Sequence, residues 1–128
     1  MKGIKTHLRI DNRLSGFPEV LEEGYALVRL KTSEEMAADD KGLVHGGFIF
    51  SAADYASMLA VNHPNVVLAG ANVKFLKPAK VGDELIFQAK VENREGKKII
   101  VSVEGKKEGE LIFKGDFTCV IPDKHVLD

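Results

Sequence analysis

Two features of this 128-residue sequence could carry chemistry. The first is His45-Gly46-Gly47, which opens a run to Val61 made almost wholly of apolar and small residues. Glycine is a poor interior helix residue, so two in a row predict a helix that starts there. A helix N-terminus carries unpaired backbone N–H groups and the positive end of the helix dipole. With no side chain in the way, a ligand oxygen could approach those N–H groups, as in an oxyanion or anion site. The same glycines also read as a tight loop-to-helix turn required by packing alone. The second feature is Asp54, the one charged residue of the run. An isolated charge is expensive to bury and demands a partner, a solvent path or a function. A pairing with Ser51, Ser57 or Asn72 competes with a part in catalysis. Gly46 and Asp54 are eight residues apart, about 12 Å along a helix axis. One chain therefore cannot bring both to the same carbonyl. If they cooperate, Asp54 comes from a second, oppositely directed helix, and the chemistry needs a dimer.

The remaining candidates are less specific. His45 could be a general acid or base or orient a substrate, or it could fix the loop by hydrogen bonds. His7, His63 and His125 share no spacing, so no metal site is expected. The single cysteine, Cys119, cannot form an internal disulfide and falls on an apolar strand face, as a packing residue would. Lys97-Lys98 and Lys106-Lys107 sit at hairpin ends, and Lys77 and Lys80 flank Pro78. These are solvated tips or contacts for a phosphate-bearing ligand. No glycine-rich nucleotide loop or serine nucleophile elbow is present.

The segment from about Gly46 to Asn62 is apolar on nearly every side, which predicts a buried helix. Around it, Tyr25–Lys31, Val66–Leu76 and the runs beginning at Leu85, Ile99 and Leu111 alternate apolar with polar residues, as half-buried strands do. Short glycine-containing loops join the last three, which predicts an antiparallel meander. The expected fold class is α+β, with one long buried helix wrapped by an antiparallel sheet of about five strands. A free sheet edge then favours a homo-oligomer with a continuous sheet across two chains. Hydrophobic residues make up 45% and charged residues 29% of the chain, an ordinary globular balance that excludes disorder and fibre. One domain over residues 1–128 is expected. The net charge of −1 gives no bulk attraction to nucleic acid or anionic lipid. No signal-peptide or membrane-spanning run is found. The expectation is a cytoplasmic protein with neither a nucleic-acid nor a membrane partner.

His45-Gly46-Gly47-Phe48-Ile49-Phe50-Ser51-Ala52-Ala53-Asp54 resembles the helix motif of hotdog-fold acyl-CoA thioesterases of the phenylacetate-pathway (PaaI-like) type. Those proteins carry a His-Gly-Gly followed at the same distance by an Ala-Asp pair. The run Asn72-Val73-Lys74-Phe75-Leu76-Lys77-Pro78-Ala79-Lys80-Val81-Gly82-Asp83 resembles the strand and turn that follow the helix. The likeness covers about Gly24 to Ile121. It implies a hotdog domain in which the N–H of Gly46, with Gly47 beside it, polarises a thioester carbonyl. Asp54 from the partner chain would act as nucleophile or activate water. Asp39 would support the turn six residues before the histidine, where relatives often carry Asn or Gln. An ionised Asp cannot donate the hydrogen bond an amide can. Some relatives place a hydroxyl four residues after the acid; here that position is Met58, and Ser57 is the nearest candidate. The expected substrate-binding set is Asp39, Ser57, Asn72, Lys77 and Lys80. The implied ligand is an acyl-CoA, with coenzyme A as part of the substrate and no separate cofactor, in a homodimer or homotetramer. The fold also serves proteins that bind acyl-CoA or malonyl-CoA without cleaving it, and fold alone does not decide. Such sensors tend to lack the helix acid, and Asp54 is present. A hotdog hydratase or dehydratase with His45 as base is a third reading.

Overall fold

Period-2 alternation builds the strands here, and the unbroken apolar run builds the helix that they cover. A computed structural model describes residues 3–128. In chain order the elements are a one-turn helix α1 (Asn12–Ser15), β1 (Phe17–Glu22), β2 (Tyr25–Lys31), a 3₁₀ turn (Glu34–Met36), α2 (Gly46–Val61), β3 (Val67–Phe75), β4 (Glu84–Glu95), β5 (Lys98–Lys107) and β6 (Glu110–Val120). The strands form one antiparallel sheet in the order β1-β2-β4-β5-β6-β3. With α2 packed against all six strands, this is the hotdog fold.

The expected meander is β4-β5-β6. The sheet has six strands instead of about five, because Phe17–Glu22 pairs with β2. Pro18 and a bulge between Pro18 and Val20 interrupt the alternation there, and Leu21 is the strand's one fully buried residue. That leaves too little periodicity for the strand to be read from sequence.

Helix α2 buries nine of its sixteen residues, Ala52, Ala53, Met58 and Leu59 among them. Phe87, Phe113 and Phe117 fill the space beneath it with no solvent exposure, their rings 6.1 and 6.4 Å apart in sequence. The helix ends at Asn62, which takes the left-handed conformation (φ 51°, ψ 50°). Its side chain accepts a hydrogen bond from the Lys5 N–H (2.8 Å) and donates one to the Gly3 carbonyl (3.0 Å), tying down the segment ahead of α1.

At one edge of the sheet, β3 pairs only with β6. A bulge between Leu68 and Gly70 resets its register, so that Ala71, Val73 and Phe75 lie opposite Phe117, Gly115 and Phe113. They share the face that looks at the helix. Asn72 and Lys74 lie opposite Asp116 and Lys114 on the outer face.

Candidate functional site

The loop before α2 enters the helix in an extended conformation at His45 (φ −62°, ψ 130°). Its backbone N–H donates to the Met36 carbonyl at 2.8 Å, and its side chain caps the helix. Nδ1 accepts the N–H of Gly47 at 2.7 Å, which requires a neutral ring protonated on Nε2. Of the two sequence readings of His45, this geometry is the loop-fixing one. It also explains why residue 47 is glycine. A Cβ there would lie 2.9 Å from the imidazole, closer than real contacts allow. The Gly46 N–H finds no acceptor among the described residues. Phe75, half exposed, packs its ring beside Gly46, where a Cβ would lie 3.4 Å away. The helix start therefore offers one free donor, Gly46, while that of Gly47 is occupied.

Asp54 lies two turns further along. None of the three pairings open to it in the sequence forms. Ser51 shares a hydrogen bond with Ser15 (2.8 Å). Ser57 donates to the backbone carbonyl of Asp54 itself (2.7 Å). Asn72 faces outward from the sheet. The Oδ1 of Asp54 is buried without a hydrogen-bond partner, and burial pushes its carboxyl up to about 6. A carboxylate that titrates near neutrality is suited to accept and return a proton. Around it, Phe50 packs on Phe117 at 5.5 Å and Met58 is fully buried. Cys119 is buried too, its thiol pushed up to about 11 by desolvation. The thiol stays protonated at neutral pH and acts as packing.

The other sequence candidates are scattered. The Asp39 carboxylate accepts the N–H groups of Lys41 (2.9 Å) and Leu43 (3.2 Å) and so folds its own loop. A bridge between Leu43 and Lys80 brings Lys80 beside that loop. Lys80 is exposed, and its backbone N–H donates to Asp83 (2.8 Å). Lys77 is in an exposed ion pair with Glu110 (2.7 Å). Ser57 is fully buried, so its hydroxyl serves the helix and not the surface. Within one chain the structure brings together His45, Gly46 and Gly47. It keeps Asp54 two turns away and Asn72 on the opposite face of the sheet. Among the described residues no three His, Cys, Asp or Glu side chains converge, and no helix is long and apolar enough to cross a membrane.

Sequence reasoning missed α1. Asp11 caps it by accepting the Arg13 N–H (3.0 Å), and this aspartate cap was the available signal. The one-turn helix lies against the start of α2. Between them Leu14, Ser15, Gly47, Phe48 and Ser51 line a pocket of about 480 Å³.

The sequence profile of the thioesterase superfamily matches residues 41–113, more than half of the chain and including the whole helix. The chain belongs to the thioesterase superfamily. A crystal structure of an uncharacterized protein from Pyrococcus horikoshii is similar to this thioesterase-superfamily chain at 51% identity, covering 99% of this chain and 98% of that one with a TM-score of 0.98. A methylthioribose-1-phosphate isomerase from Aquifex aeolicus is 68% identical over 117 residues, which are 91% of this chain and 26% of the isomerase. This chain thus spans about a quarter of that protein's length. The transcription factor FapR of Thermoanaerobacter sp. is 28% identical over 94% of this chain and 75% of its own. A hypothetical thioesterase from Streptococcus pneumoniae, solved with coenzyme A, shares the fold at 21% identity and a TM-score of 0.77, covering 85% and 87% of the two chains.

Proposed function

We propose that this thioesterase-superfamily protein hydrolyses acyl-CoA thioesters at a site completed by a second copy of the chain. The observation that carries the reading is Asp54: a carboxylate on an apolar helix, one oxygen buried and unpartnered, titrating near 6. The free N–H of Gly46 donates a hydrogen bond to the thioester oxygen as negative charge develops on it. The partner subunit's Asp54 either attacks the carbonyl carbon or takes a proton from the attacking water. The C–S bond breaks and the departing thiolate takes up a proton. By the first route the acyl group is left as an anhydride on the partner's Asp54, which water then hydrolyses. By the second, the proton that the partner's Asp54 took from water passes to the thiolate. In both, the products are a carboxylic acid and the free thiol of coenzyme A. About 12 Å of helix separates Gly46 from Asp54 in one chain, and two antiparallel helices across a two-fold axis close that gap. The unpaired edge of β3 supports such a dimer, because an open strand edge invites another strand. Coenzyme A in the pneumococcal relative supports the choice of thiol. Exposed Lys80, and Lys77 if it exchanges Glu110 for a phosphate, suit the charged end of that thiol.

Thiol release from a panel of acyl-CoAs tests the reading. Wild type should turn over at least one of them, and Asp54→Asn should be slower by ~10²–10⁴. Equal rates would remove Asp54 from the mechanism. A second reading, acyl-CoA binding without cleavage, draws on the likeness to a transcription factor over 94% of the chain. Its signature is a melting temperature raised by acyl-CoA with no thiol released.

A further inference from the structure

The pocket between α1 and the start of α2 has a chemistry of its own. Several of its hydrogen-bonding groups are already engaged, while the Nε2–H of His45 has no partner among the described residues. Ser15 and Ser51 share one bond at 2.8 Å. The His45 Nδ1 is engaged with the Gly47 N–H, and one Asp11 oxygen accepts the Arg13 N–H at 3.0 Å. The other Asp11 oxygen faces the Arg13 guanidinium at 3.5 Å. What the pocket presents to a ligand is chiefly apolar, the side chains of Leu14 and Phe48 and the bare Cα of Gly47, with the Asp11 carboxylate and the His45 Nε2–H at its polar side. The His45 ring meets Phe48 edge-on at 6.1 Å, which holds that apolar wall upright. Gly47 and His45, which line the pocket, flank Gly46 in the chain, so the pocket lies at the helix start next to that residue.

We infer that this pocket seats the acyl group of the substrate, and that the acyl group is an uncharged hydrocarbon chain or ring. The inference rests on the thioesterase reading. With the carbonyl oxygen on Gly46, the substituent on the carbonyl carbon turns into the α1–α2 pocket. A buried apolar surface favours each methylene it covers by taking it out of water. An anionic acyl group would face the Asp11 carboxylate, and any charged or hydroxylated one would lose most of its water for few replacements, the Nε2–H of His45 among them. The thiol half of the substrate leaves in the other direction, toward the exposed loop that carries Lys80.

Two variants of opposite effect test this. Leu14→Phe adds bulk inside the pocket, and Phe48→Leu removes it. The measurement is kcat/KM for straight-chain acyl-CoAs from acetyl to decanoyl, with succinyl-CoA as the charged case. One methylene in an apolar pocket is worth roughly 10–200-fold in discrimination. Leu14→Phe should therefore lower the decanoyl-to-acetyl ratio by about tenfold or more, Phe48→Leu should raise it, and succinyl-CoA should be the poorest substrate of wild type. Ratios unchanged in both variants overturn the inference and leave the thioesterase reading intact. So does an equal fall at every chain length, which would place the pantetheine arm in the pocket. If Leu14→Phe fails to fold, as its melting curve will tell, Phe48→Leu still decides. If wild type hydrolyses nothing, the thioesterase reading falls and thermal shift decides for the pocket. Decanoyl-CoA raising the melting temperature beyond free coenzyme A, with the difference altered in Phe48→Leu, supports it; no difference between the two probes overturns it.

Discussion

Proline at position 46 would delete one hydrogen-bond donor and little else. Gly46 is the first helical residue, where proline is favoured, and His45 already has the extended conformation that a residue before proline needs (φ −62°, ψ 130°). Gly46→Pro is expected to melt within a few degrees of wild type yet lose ~10²–10³ in thiol release. Gly46→Ala keeps the N–H and should stay near wild type in both. Asp54 gives a prediction of opposite sign for stability. Its folded carboxyl is raised by burial from the ordinary 3.8 to about 6, so the folded state holds the proton more tightly than the unfolded chain does. The stability from this protonated group is fully present below pH 3.8 and is lost as pH rises through 6. Above that, the ionised form costs on the order of 3 kcal/mol. Asp54→Asn should thus raise the melting temperature at pH 8, with the gain closing below pH 4, while the wild-type rate rises with pH through 6. Both residues were legible in the sequence, since a charge in an apolar helix and a glycine pair at its start break otherwise uniform patterns. What was not legible is which N–H the imidazole of His45 takes. Spacing places His45 beside two donors, and only the rotamer of its side chain decides between them.

The strands show where periodicity suffices and where it fails. β4, β5 and β6 have covered and wet faces, and their alternation marks them plainly. β1 carries a proline and a bulge in six residues, and the four-residue α1 is too short for any helical period to register. Glycine inside a strand has a separate meaning. In β5, a Cβ on Gly105 would lie 2.7 Å from the Phe87 ring and 3.2 Å from the Cβ of Phe113. The missing side chain is what lets those two rings meet under the helix. Gly105→Ala should cost about 1–3 kcal/mol by overpacking, read as a lower denaturant midpoint at unchanged slope. The sequence shows the glycine at a turn-like position near the strand end; the rings above it come from two other strands and leave no local trace.

At the scale of the whole molecule, the proposed sharing of a site between copies has a direct test. Gly46→Pro and Asp54→Asn should each be inactive alone. Mixed in equal amounts and allowed to exchange subunits, half of the dimers are hybrids with one intact site, so about a quarter of wild-type activity should return. No recovery would mean that the two groups do not meet across chains. The proposal of a second copy was legible from one distance along a helix, whereas which strands lie at the sheet's open edges was not, because strand order is a property of the assembled sheet. That order also bears on how the chain comes to be folded. β3 is the third strand to be made, but it pairs only with β6, the last. While the chain emerges during synthesis, β3 therefore waits without a partner strand, and the side of α2 that faces β6 stays uncovered. The sheet cannot close until residues 110–120 arrive. A fold completed from its far end keeps an unpaired strand exposed until last, and a pause or truncation before β6 would leave β3 without the strand that it pairs with.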